Sequence, residues 1–212
     1  MQVKLLIRFI SSFLFVSFLF ACSSFHQVAQ STNSSRVTAS AFFDWASHQS
    51  AAARDSAAVA EILSGNFPAH TLQWVTIHTE LQVDATTTIR ASYQVSADYL
   101  SLGTEDDWSR IPLTARSAQQ IADSFQCFLP TRKMVDDIYR AARVKLSPMP
   151  MFAFRDSSIT LYQHHLMIEG MRKGKKGLIA GIKKDLVITS QLAHTSKPNR
   201  EAIYGWHRLN TQ

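Results

Sequence analysis

Side chains able to ligate a metal or move a proton gather between residues 164 and 207. His165 and Glu169 stand four apart, which on a helix puts an imidazole and a carboxylate on one face, with His164 alongside. Two such groups can begin a zinc site, with Asp185, His194 or His207 as the third ligand. The spacing lacks the His-Glu-x-x-His form of helical zinc hydrolases, and an exposed His/Glu pair is otherwise a weak surface interaction. His207 follows Trp206 at the end of an apolar run, so an aromatic face and an imidazole can serve together in binding; a strand end packed beneath a loop explains the same pair.

Other reaction types find less support. Cys127 falls where a helix should end, and there the helix dipole opposes a thiolate; with Phe125, Phe128 and Leu129 around it, it reads as a buried, inert thiol. The chain contains no Gly-x-Ser-x-Gly elbow and no Ser-x-x-Lys pair. Gly170-Met171-Arg172-Lys173-Gly174-Lys175-Lys176 is one residue short of a phosphate-binding loop and follows a helix instead of a strand. Lys173, Lys175, Lys176, Lys183 and Lys184 read as a solvated hairpin edge, or as a contact for anionic lipid or polymer. Glu105-Asp106-Asp107 lacks the alternation of a calcium loop and reads as a solvated turn.

These groups have to be positioned by elements legible from periodicity. Residues 39 to 64 are Ala-rich and helical in two pieces, with Gly65-Asn66 as the stop. Residues 72–83 and 89–95 alternate with period two about a turn at Asp84-Ala85-Thr86, which predicts an antiparallel hairpin. Residues 98 to 114 read as a loop. Helices are predicted over 117–125 and, capped by Thr131, over 132–142, then from Ser157 or Ser158 to about Glu169. Short strands are predicted at Met151 to Phe154 and near 178–182, 185–189 and 201–207. Mixed helices and antiparallel strands without βαβ alternation indicate an α+β fold in one domain over residues 39–212.

The N-terminus carries Lys4 and Arg8 and then twelve largely apolar residues from Phe9 to Phe20, a stretch that covers about 18 Å as a helix against a hydrocarbon core about 30 Å thick. This is the layout of an export signal. Leu19-Phe20-Ala21-Cys22 resembles the lipobox of bacterial lipoproteins, although Phe20 is bulkier than usual there. The resemblance implies a signal peptide over residues 1–21, cleavage after Ala21, and a diacylglyceryl group (palmitate-type chains) on Cys22 that anchors the mature chain to membrane lipid. Ser23 in the next position is similar to an outer-membrane sorting signal if the cell is Gram-negative. Residues 22–38, rich in Ser, Thr, Gln and Asn, form a tether.

Loss of Lys4 and Arg8 with the signal lowers the net charge from +6 to +4, too weakly basic for a nucleic-acid partner. Lipidation of Cys22 leaves Cys127 without an intramolecular disulfide partner. Nothing in the pattern specifies an oligomeric state. The runs Ala97-Asp98-Tyr99-Leu100, Leu129 to Asp136, Lys183-Lys184-Asp185 and Ala202 to His207 look similar to uncharacterised bacterial secreted proteins that continue further, which implies a C-terminally shortened copy and brings no activity. The expectation is therefore a membrane-anchored cell-envelope lipoprotein acting as a binding or structural module, without a cofactor. The alternative is a hydrolase of wall or extracellular polymer using His165, Glu169, Asp185 and His207, with zinc as its metal.

Overall fold

In the computed structural model, residues 3–5, 36–196 and 200–207 are described. The apolar stretch from Phe9 to Phe20, Cys22 and the residues up to 35, on which the expected signal, anchor and tether fall, lie outside them. Two short helices begin the domain, each started by a hydroxyl that accepts a backbone N–H of the first turn. Thr38 caps α1 (Ala39–Ser47) through the Ala41 N–H at 3.2 Å, and Ser50 caps α2 (Ala51–Leu63) through the Ala53 N–H at 3.1 Å. Gly65 ends the pair at φ +89°. A single 3₁₀ turn, Ala69–Leu72, leads into the longest strands of the molecule.

Strands β2 (Trp74–Gln82) and β3 (Thr88–Ser96) form the predicted antiparallel hairpin, registered from Trp74 opposite Ser96 to Gln82 opposite Thr88. Asp84 closes its tip by accepting the N–H groups of Thr86 and Thr87. The other edge of β3 is lined by β1 (Val3–Leu5). Only the base of the hairpin is buried, through Ile77, Tyr93 and Val95. These pack on α4 (Arg132–Ala141) beside Ile138 and Tyr139.

Residues 98 to 114 contain a second, tight hairpin where the sequence suggests a loop. Its strands are β4 (Ser101–Gly103) and β5 (Trp108–Arg110). Three-residue strands are too short to display a period. Gly103 sits at φ +111°, where a Cβ would lie 2.9 Å from the Trp108 Cα, so this turn requires glycine. The acidic turn is also more than solvated: Asp107 accepts from Ser40 N at 3.1 Å and from the Ser40 hydroxyl, placing a carboxylate at the N-terminus of α1.

Helix α3 (Ala115–Ser124) follows, and Cys127 is buried just past its end, as the sequence predicts. Beyond α4, β6 (Val144–Lys145) pairs in parallel with β7 (Ile179–Ala180). Between them lies the longest described helix, α5 (Ser158–Arg172), packed on α1 and β5. The final pair is β8 (Asp185–Leu186) and β9 (Ile203–Tyr204). Met151 to Phe154 is not a strand: it is an open loop with Phe152 90% and Phe154 82% exposed, because no neighbouring strand offers its backbone a ladder.

Helices, antiparallel pairs and the one short parallel pair β6–β7 thus build one α+β domain, with the described strands in four small sheets. Among the described residues no helix is long and apolar enough to cross a membrane. Tyr99, Val144, Leu146, Ile168, Ile179 and Ile182 form one core cluster among β6, β7 and α5, and Tyr99 and Ile182 also line the cleft described below.

Candidate functional site

Arg110, the last residue of β5, is 1% exposed, and its guanidinium meets carboxylates from two other elements. Asp98, just past β3, accepts from Nε at 2.8 Å and from Nη2 at 2.6 Å, a two-pronged geometry that only arginine supplies. Glu169 on α5 closes on the same Nη2 at 2.8 Å. Arg172, one turn further, lies 3.5 Å from both carboxylates, so two arginines face two acids. Burial works against the Arg110 charge, but Asp98 and then Glu169 outweigh it and hold its pKa above the ordinary value.

His165 completes this cluster. Its Nδ1 faces the Arg110 N–H at 3.4 Å and Nη1 at 3.3 Å. Arginine can only donate, so Nδ1 carries the lone pair and the ring is the neutral Nε2–H tautomer. Burial, assisted by the Arg110 charge, pushes the His165 pKa down to about 3. Trp108 stands edge-on to the His165 ring at 4.7 Å and to His70 at 4.3 Å, and Arg110 approaches the same indole at 5.0 Å.

The His165–Glu169 face predicted from their spacing therefore exists: His165 is buried, Glu169 is about a third exposed, and both turn to Arg110. In place of a solvated surface pair, the two side chains form part of a cluster around one arginine. Among the described residues no group of three or more His, Cys, Asp or Glu side chains is placed to hold a metal. His207 belongs to another neighbourhood: it stacks on Tyr139 of α4 at 4.2 Å and pairs with Asp136 at 2.9 Å through Nε2. His194 is exposed on the 3₁₀ turn Ser190–His194. The four predicted site residues are thus divided: His165 and Glu169 meet at Arg110, while Asp185, which lines the cleft, lies on the side of His207 through the β8–β9 pair.

That cleft, about 370 Å³, lies between β5, α5 and the β8–β9 pair. Its walls include Tyr99, Arg110, His164, Lys183, Asp185 and Trp206, over a floor of Leu113, Leu129 and Ile182. Lys184 lies over the Trp206 indole at 4.4 Å. Glu201, also on the rim, accepts the Ala115 N–H at 2.7 Å and so ties the segment before β9 to the start of α3. Asp185 is fully enclosed, and burial raises its pKa.

Lys183 is not on the solvated edge that its basic neighbours suggest. Its backbone is gripped by Tyr99, whose hydroxyl donates to the Lys183 carbonyl and accepts from its N–H, both at 3.4 Å. Burial of Tyr99, with Asp185 nearby, keeps that phenol protonated well above its usual range. The Lys183 ammonium points to His164 Nδ1 at 3.4 Å. Among the described residues no carboxylate forms an ion pair with it. Burial, reinforced by Arg110, lowers its pKa to about 8.

Comparison with known proteins finds no match among family models, curated proteins or solved structures. The cleft must therefore be read from its chemistry. Asp98, Arg110, Tyr99 and Lys183 escape a search by motif because their partners come from distant parts of the chain. A weak signal exists for Lys183: the polar triplet Lys183-Lys184-Asp185 interrupts an otherwise apolar run from Leu178 to Ile188.

Proposed function

We propose that this chain is a membrane-anchored cell-envelope lipoprotein whose domain binds a small anionic ligand in the Lys183 cleft. The observation that carries the binding function is the Lys183 ammonium, set in a cleft wall and in no ion pair with a carboxylate among the described residues, while the neighbouring Arg110 is engaged by Asp98 and Glu169. A buried charge without a partner is costly, and an anion entering the cleft supplies the missing one. Trp206 and the apolar floor favour a ligand with a hydrocarbon or ring portion beside its charged group. Anchoring is supported by Leu19-Phe20-Ala21-Cys22 and places the domain at the envelope.

Hydrolysis of wall or extracellular polymer would need His165, Glu169, Asp185 and His207 around a single bond. The commitments of His165 and Glu169 to Arg110, and of His207 to Asp136, give that reading no support.

Two measurements test the proposal. Thermal unfolding with acetate, pyruvate or benzoate should show stabilisation by at least one of them in the native chain and not in Lys183→Met; no shift with any of the three would remove the binding function. Palmitate labelling in cells should mark the native chain and not Cys22→Ser, and an unlabelled native chain would remove the anchor.

A further inference from the structure

The Lys183 amine has an acceptor for its proton already in place. His164 Nε2 lies 3.0 Å from the Met149 carbonyl, which can only accept, so Nε2 carries the hydrogen and Nδ1 presents its lone pair. That lone pair faces Lys183 Nζ at 3.4 Å. The other charged or titratable groups about the amine are Arg110 from β5, Asp98 past β3, Tyr99, His165 of α5, which Arg110 already engages, and Asp185 at the start of β8. The Asp98 carboxylate is occupied by Arg110, which leaves His164 as the base in contact with the amine. A lysine in such a cleft, next to another cationic group and a neutral imidazole, has the surroundings that make amines nucleophilic.

We propose that Lys183 captures the carbonyl carbon of a small aldehyde or ketone held in the cleft, with His164 as its proton relay. This rests on reading the cleft as a ligand site and deepens it by naming the ligand's reactive group. The ammonium gives a proton to His164 Nδ1, and the freed lone pair adds to the carbonyl carbon as the C=O π pair moves to oxygen. One proton passes from nitrogen to that oxygen, giving a carbinolamine. The nitrogen lone pair then expels the hydroxyl, which takes the proton held by His164 and leaves as water. The product is a protonated Schiff base on Lys183; His164 is neutral again, and no oxidant or reductant is consumed.

Burial lowers the Lys183 pKa to about 8 and also lowers that of His164, so near neutral pH the ammonium predominates and a minor fraction of free amine faces an unprotonated imidazole. Exposed Lys175 and Lys176 in the same chain provide internal references.

The experiment incubates the full chain with pyruvate or butanal, reduces with borohydride, and maps the modified lysines by peptide mass. Lys183 should be modified faster than Lys175 and Lys176 by roughly tenfold or more at neutral pH, with a rate that rises to a plateau near pH 8. His164→Gln should slow the capture and displace its pH profile, and Lys183→Arg should abolish the fast adduct while preserving the fold. Modification of Lys183 no faster than that of the two reference lysines would overturn the proposal. Should pyruvate stabilise the chain against heat without forming the adduct, binding stands and covalent capture fails. If it neither stabilises nor reacts, and acetate and benzoate also leave the chain unshifted, both fail.

Discussion

Arg110 illustrates how a single side chain ties the molecule together. Its guanidinium joins the buried Asp98 past β3 to His165 and Glu169 on successive turns of α5, and Asp98 or Arg110 alone at such depth would be a liability. Replacement by methionine keeps the volume but leaves Asp98 and Glu169 only the longer contacts to Arg172 at 3.5 Å. Arg110→Met should cost about 3 to 5 kcal/mol in chemical denaturation, and Arg110→Lys should recover little of it because an ammonium cannot form the fork. His165 gives the cluster a signature in acid. With its folded pKa held down near 3 and its unfolded value near 6.5, the unfolded chain binds a proton in that interval which the folded chain refuses. Stability should therefore fall as pH drops through 6.5 toward 3, with no contribution from this residue above that window. His165→Gln should flatten the slope in urea titrations at a series of pH values, and an unchanged slope would count against a neutral buried imidazole. The shared face of His165 and Glu169 was legible from their spacing. Their common partner was not, since Arg110 lies 55 residues before His165 on a three-residue strand.

Among the elements, legibility followed length. The β2–β3 hairpin shows its period over nine residues per strand, and α2, α4 and α5 each announce a hydroxyl cap or boundary and a repeating apolar face. The strands β7, β8 and β9 fall within the stretches predicted near 178–182, 185–189 and 201–207 but are only two residues each, while β4, β5 and β6 are too short to show any period; which strand pairs with which depends on distant segments meeting. The cleft depends on two of these pairs, which is why its Lys183 was read as surface. A similar long-range contact sets the start of α3. Asp55 on α2 accepts the Thr114 N–H and hydroxyl, each at 2.9 Å, and also the Ser117 hydroxyl. Asp55→Ala should cost about 1 kcal/mol and loosen the α2–α3 contact, readable as faster amide exchange in the first turn of α3.

At the scale of the whole molecule, four apolar clusters of modest size carry stability without a covalent brace among the described residues. The loop that holds Phe152 and Phe154 in water has a practical consequence for anyone handling the protein. Two phenyl rings on a projecting loop adsorb readily to any surface that is less polar than water. The protein should be retained on phenyl resin in concentrated ammonium sulfate, be lost to plastic at high dilution, and be released by traces of mild detergent. The double variant Phe152→Ser, Phe154→Ser should elute earlier with its melting temperature unchanged.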